Sequence, residues 1–149
     1  MAFPTLSLTG RALKLQSMRE HSRRELERKL ARFEEQPGQL AAVLDDLQAK
    51  GFISEERVIA SVVHRRAGKF GAARIRQELS GKGLGSDAVD DAVGQLRQTE
   101  QKRAQEIWRK KFGSPPADGN ERARQSRFLA SRGFGGDVIQ RVLAGGSDD

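Results

Sequence analysis

Leu47-Gln48-Ala49-Lys50-Gly51-Phe52 is the stretch that decides how this chain is read. A leucine is followed four positions later by glycine, and the glycine by a large apolar residue. The signal returns as Leu79-Ser80-Gly81-Lys82-Gly83-Leu84 and as Leu129-Ala130-Ser131-Arg132-Gly133-Phe134. After a helix, glycine reaches positive φ without a side-chain clash, and the apolar residue behind it can turn back onto the helix that has just ended. A basic residue precedes each glycine (Lys50, Lys82, Arg132), where the negative end of a helix favours it. An acidic residue follows four positions on (Glu55, Asp87, Asp137), near the start of the next helix. Each copy reads as helix, left-handed cap, hydrophobic re-entry and new helix. Such repetition implies a modular all-α protein that presents a surface, not an enzyme built around one pocket.

Outward from these signals, helical periodicity dominates. Leu8, Ala12, Leu15 and Met18 form a weak first stripe, and Leu26, Leu30 and Phe33 form a second behind a cap at Ser22. Pro37-Gly38 marks a turn before Leu40, Val43, Leu44 and Leu47. Ser54 caps a fourth helix with Glu55 and Glu56 in its first turn. Its apolar residues Val58, Ile59, Val62 and Val63 are β-branched, but adjacent pairs recurring four apart do not alternate as a half-buried strand does. Gly68 and Gly71 bracket the next break.

Ile75 and Leu79 mark the fifth helix, and Val89, Ala92, Val93 and Leu96 the sixth. A seventh helix carries Ala104, Ile107 and Trp108 and frays near Phe112. Residues Gly113 to Asn120, with Pro115-Pro116, read as a loop. Phe128 and Leu129 belong to an eighth helix, and Val138, Ile139, Val142 and Leu143 to a ninth. The simplest partition is three three-helix modules, 8–50, 54–97 and 98–143, followed by a disordered tail over 144–149. Gly51 closes the third helix of its group, whereas Gly83 and Gly133 separate second from third helices, so the first signal is one helix out of phase.

Charge narrows the partner. Lys and Arg number 27 against 20 Asp and Glu, a formal charge of +7. This favours an anionic partner, either nucleic acid or an acidic protein surface. With 36% of residues apolar and 32% charged, the cores are expected to be thin and the surface large. Arg65 to Lys82 holds six basic residues against Glu78, and Arg97 to Lys111 holds six against Glu100 and Glu106. Glu34 to Glu56 holds six carboxylates against Lys50. The alternation suits a partner with an alternating surface and equally a solvated face. Absence of cysteine excludes disulfides and thiolate chemistry and fits a reducing compartment. The apolar runs are too short to span a bilayer and no secretory leader is evident, so the default is cytoplasmic.

Enzyme chemistry, a metal and a cofactor find little support. His21 and His64 are the only histidines, and neither sits in a ligand cluster. His21-Ser22 lacks an acid partner at diagnostic spacing. Gly68-Lys69-Phe70-Gly71 resembles a fragment of a phosphate loop but lacks the full glycine pattern and the Lys-Ser/Thr ending. Trp108 reads as a core anchor, because Ala104 and Ile107 share its side of the helix.

Together these residues resemble the RecX regulatory family, bacterial modulators of the RecA recombinase. The matching segments are Ser22 to Leu30, Leu44 to Ala60 around Gly51-Phe52-Ile53, Gly71 to Leu79 with Lys82-Gly83-Leu84, and Phe128 to Phe134 leading to Val138-Ile139. Ser54-Glu55 and Val58 depart from the family pattern, which often has paired acids and an aromatic there. The resemblance implies an elongated, curved protein of three tandem three-helix modules. It would lie in the groove of the RecA–single-stranded DNA filament and inhibit ATP hydrolysis and strand exchange, with no active site of its own. Arg65, Arg66, Lys69, Arg74, Arg76, Lys102 and Arg103 are the expected partner-binding residues. Arg74 and Arg76 have a structural alternative, pairing with Glu78 or a neighbouring helix. The structural residues are Leu47, Gly51, Phe52, Leu79, Gly83, Leu84, Trp108, Leu129, Gly133 and Phe134. A stand-alone basic DNA-binding module is the alternative reading, although aromatic residues interleave poorly with the basic ones in sequence. A helical adaptor for an unrelated partner is a third.

Overall fold

The computed structural model of the protein describes residues 5–145. Among these residues there are nine α-helices, one 3-10 turn and no strand. They are α1 (Leu8–Met18), α2 (Arg23–Leu30) with the 3-10 turn Ala31–Phe33, α3 (Gln39–Ala49), α4 (Glu55–Arg66), α5 (Ala72–Gly81), α6 (Asp87–Gln98), α7 (Glu100–Lys111), α8 (Gly119–Ser131) and α9 (Gly136–Leu143). The chain divides into two compact units, Met1–Ser61 with Gly81–Leu84, and Val62–Ser80 with Gly85–Asp149. The division falls inside α4 and gives the 81–84 segment to the first unit.

In the first unit α1, α2 and α3 pack on one another around Leu8, Ala12, Leu26, Leu30, Leu44 and Leu47. Local chemistry starts each helix. Ser22 opens α2 with a capping box: its side chain accepts the Glu25 N–H, and the Glu25 carboxylate accepts the Ser22 N–H at 3.0 Å. Ser54 opens α4 by accepting the Arg57 N–H. Val58, Ile59 and Val62 are buried along one helical face, which disposes of the strand alternative. In the second unit α7 and α8 pack with α9 around Ala104, Leu129, Phe134, Ile139, Val142 and Leu143.

All three signal glycines hold positive φ, +82° at Gly51, +82° at Gly83 and +91° at Gly133. Phe52 and Phe134 donate their N–H groups back to the Leu47 and Leu129 carbonyls, closing the 6→1 bond of a Schellman cap. The apolar follower behaves differently in each copy. Phe134 is buried, Leu84 is half-buried, and Phe52 is 46% exposed. The expectation that Phe52 returns to its helix is therefore corrected: Ile53, one position later, enters the core instead.

Three further expectations change. Met18 is 73% exposed, so the stripe of α1 ends at Leu15. The loop expected over 113–120 is shorter, because Asp118 caps α8 by accepting the Glu121 N–H at 2.8 Å while Glu121 accepts the Ala117 N–H. Ala144 and Gly145, assigned to a disordered tail, form an ordered turn that bonds back to Gln140 and Val142. The remainder of that tail, 146–149, lies outside the described residues.

Candidate partner-binding surface

The expected partner-binding residues all belong to the second unit: Arg65, Arg66, Lys69, Arg74 and Arg76 flank the turn between α4 and α5, and Lys102 and Arg103 lie on α7. Lys69 and Phe70 donate their N–H groups to the Arg66 carbonyl, ending α4. The N-terminus of α5 is completed from a distance. Buried Glu100, the first residue of α7, accepts the Ala72 N–H at 3.1 Å, satisfying one of the orphan donors of a helix start. Gly71 donates its N–H to the Arg132 carbonyl at 2.7 Å. A Cβ on Gly71 would lie 2.3 Å from the Gly133 carbonyl oxygen, and one on Gly133 would lie 2.4 Å from the Arg74 Cβ. Two backbones meet here at a distance that only glycine permits.

The basic residues separate into free and committed groups. Arg65, Lys69 and Lys102 are exposed and form no ion pair among the described residues. Arg66 pairs with Glu78 at 2.9 Å, and Arg76 with Asp90 of α6 at 2.9 Å. Arg74 donates to the Ser131 carbonyl at 2.8 Å. Arg103 is the most committed. It donates to the carbonyls of Ala67, Phe70 and Leu96 and to the Thr99 hydroxyl. Burial pulls the pKa of its guanidinium below the ordinary value, with Glu100 opposing. The geometry thus makes Arg103 the clamp that holds the turn, with four of its N–H groups spent inside the protein.

Phe70 sits among three guanidinium groups: Arg74 at 4.2 Å from the ring centroid, Arg132 at 5.5 Å and Arg66 at 5.7 Å. Arg132 also lies 5.1 Å from the Phe128 ring, which meets Phe112 edge-on at 5.4 Å. Lys111 approaches Phe128, and Arg124 approaches Phe112. These are cation–π distances, and they interleave aromatic and basic groups across α5, α7 and α8. The interleaving is invisible in the sequence because the participants come from different helices. A cavity of about 240 Å³ beside Phe70 is lined by Arg66, Arg74, Ile75 and Glu78.

Trp108 is half-buried against the core of the second unit, and its indole N–H donates to buried Gln125 at 2.8 Å. That arrangement uses both its apolar body and its polar tip. The second glycine signal has a docking contact of its own, within the first unit. The Ser22 hydroxyl donates to the Lys82 carbonyl at 2.7 Å, Lys82 pairs with Glu25 at 3.2 Å, and a Cβ on Gly83 would lie 2.8 Å from Nε of Arg24. In both units, then, the carbonyl before a capping glycine accepts a bond from the residue that opens another helix.

His21 and Ser22 do not form a catalytic pair. His21 is buried, with Nδ1 facing the Arg19 carbonyl at 2.9 Å and Nε2 facing the Lys29 ammonium at 3.1 Å. The carbonyl fixes the proton on Nδ1, leaving Nε2 to accept from Lys29. Burial, together with Arg19 and Lys29, lowers its pKa from 6.5 against the opposing Arg19 carbonyl and Glu25. The Ser22 hydroxyl is a helix cap directed at Lys82. Among the described residues no His, Cys, Asp and Glu side chains cluster as a metal site, and no helix is long and apolar enough to cross a membrane.

Comparison with known proteins connects this architecture to a family. The model of the second three-helix domain of RecX matches residues 54–93, and that of the third three-helix domain matches residues 98–143. The regulatory protein RecX of Leptothrix cholodnii is 61% identical over 140 residues, covering 94% of this chain and 89% of its own. That of Ralstonia nicotianae is 47% identical over 147 residues, covering 97% and 92%. The crystal structure of RecX from Lactobacillus salivarius shares the fold with a TM-score of 0.78 at 19% identity, over 93% of this chain and 94% of that one. Two family models in order, and relatives at this identity over most of both chains, place the chain in the RecX family of regulatory proteins.

Proposed function

We propose that this protein binds the RecA filament on single-stranded DNA and restrains its ATPase and strand-exchange activity. It would thereby act in the cytoplasm on DNA recombination, DNA repair and the SOS response, without chemistry of its own. Family membership supports a regulatory role. The observation that carries the choice of surface is the contrast between free and committed cations. Arg65 and Lys69 are exposed beside the turn that Arg103, Glu100 and Gly133 hold in place, Lys102 is exposed on α7 next to Arg103, and none of the three has an ion pair among the described residues. A preorganised cationic surface loses little conformational entropy when an anionic partner docks. Arg66, Arg74 and Arg76 are secondary contacts that can exchange intramolecular partners for intermolecular ones. In this reading residues 8–50, 54–97 and 98–143 act as three modules, and contacts to successive filament subunits add through effective concentration.

The test is the DNA-dependent ATPase of RecA at increasing concentrations of this protein, beside its binding to the same DNA without RecA. The R65A/K69A/K102A variant should inhibit markedly less while its circular dichroism is unchanged. Equal inhibition at matched concentration would remove the assignment of this surface. Direct DNA binding as the whole function remains the second reading, favoured by the interleaving of Phe70, Phe112 and Phe128 with arginines. It requires inhibition to appear only at concentrations that saturate bare DNA, with a steep salt dependence.

A further inference from the structure

We propose that a groove on the first unit, between α1 and α2, docks an acidic amphipathic helix of a partner protein. The groove encloses about 540 Å³ and lies outside every residue assigned above to partner binding. Leu6 and Met18, two of the three large hydrophobic side chains that are exposed among the described residues, line it. Leu15 and Leu30 continue its floor. Around this apolar strip stand Arg11, Lys14, Arg28 and Arg32. Among the described residues no carboxylate lines the groove and none of these four cations has an ion pair.

On α1 the groove residues Arg11, Lys14, Leu15 and Met18 follow i, i+3, i+4, i+7 spacing, so a single helical face presents both apolar and cationic groups. A partner helix with leucine-like anchors at the same spacing and carboxylates beside them satisfies both halves of this surface. Met18 and its flexible thioether suit an anchor whose shape is not fixed in advance. The same details disfavour nucleic acid. The floor is aliphatic, and Phe33, the one aromatic lining it among the described residues, already has the Arg11 guanidinium 3.7 Å and the Arg32 guanidinium 4.6 Å from its ring centroid, leaving a poor platform for a base. The groove does not depend on the filament reading, and its test does not involve RecA.

The test uses the full chain and a fluorescein-labelled synthetic peptide of about 18 residues, with leucines at helical i, i+3, i+4, i+7 spacing and glutamates elsewhere. Anisotropy should show saturable binding. An isomeric peptide with the leucines scattered should bind about tenfold more weakly, or less. Met18→Glu and Arg28→Glu both alter exposed side chains, so the fold is spared and far-ultraviolet circular dichroism should not change. Each should weaken binding of the patterned peptide by about tenfold. The proposal is overturned if the patterned peptide does not bind, if it binds no better than its isomer, or if both variants bind it as the parent does. It is also overturned if these substitutions remove binding to labelled oligothymidine or to phosphatidylglycerol vesicles while leaving the peptide bound.

Discussion

Gly51 and Gly133 occupy nearly the same backbone conformation, φ +82° and +91°, behind the same kind of helix and ahead of the same residue, phenylalanine. Around Gly51 a side chain would meet nothing within 4 Å, and Phe52 stands in solvent. Around Gly133 the backbone of α5 is in contact, and Phe134 is buried. Gly83 is intermediate: its neighbour is the side chain of Arg24, which can move. One local signal thus serves three tertiary purposes. What the repeat encodes is the cap. Whether the cap is also a packing contact depends on what the rest of the chain brings to it.

Alanine at each glycine separates these contributions, read as the shift in urea midpoint. Gly133→Ala should be the most damaging, about 3–5 kcal/mol, because left-handed strain adds to a Cβ collision with Arg74. Gly71→Ala isolates the close approach without that strain and should cost about 2–3 kcal/mol. Gly83→Ala should cost about 2 kcal/mol, since the Arg24 side chain can yield. Gly51→Ala should lose only the conformational part, about 1 kcal/mol. If Gly51→Ala is as destabilising as Gly133→Ala, the distinction between open and docked caps fails.

Charge sharpens the same comparison on the side of the first unit. Burial pushes the Glu25 pKa upward, but Arg19 at 2.6 Å, the Ser22 N–H and Lys82 outweigh it and hold the carboxyl at about 2, against 4.5. A depressed carboxylate contributes stability above pH 4.5 that is lost as the pH falls toward 2. Glu25→Gln should cost about 2 kcal/mol at neutral pH and flatten the acid-unfolding curve over that window. The smallest effect expected is at His21. Its pKa is lowered in the folded protein, so the unfolded chain takes up the proton first, and stability should decline as the pH falls below 6.5. His21→Gln should reduce that slope, measured by thermal unfolding between pH 7.5 and about 5. A slope identical to the parent's would mean that the Lys29 contact does not report on His21.

Much of the fold is legible in the sequence because its determinants are local. The capping box at Ser22, the cap at Ser54 and the positive-φ glycines lie within a few residues of the helices they end or begin. The start of α8 is equally legible, since Asp118 and Glu121 stand three apart as a cap and its N3 carboxylate do, but Pro115-Pro116 together with Gly119 places the loop boundary too late. The candidate site was less legible. Arg103 is indistinguishable from a surface cation until the carbonyls of Ala67 and Phe70, more than thirty positions earlier, are placed beside it. Arg66 pairs with Glu78, whereas Arg74 reaches Ser131 and Arg76 reaches Asp90. The helical phase tells which residues share a face, not which face of another helix they meet.

The distant completion of α5 has a consequence for the order in which the chain takes shape during synthesis. The 81–84 segment can find Ser22 and Glu25 as soon as it leaves the ribosome, because everything that this contact needs has already been made. The turn at 67–71 must wait for Glu100 and Arg103, and then for Arg132 and Gly133, to emerge. The nascent protein therefore carries every partner of the 81–84 contact while the beginning of α5 is only partly satisfied, by Glu100, until Arg132 has been translated. A pause in translation between α7 and α8 would prolong that half-finished state, with the cationic turn present in the chain but not yet held in its final form.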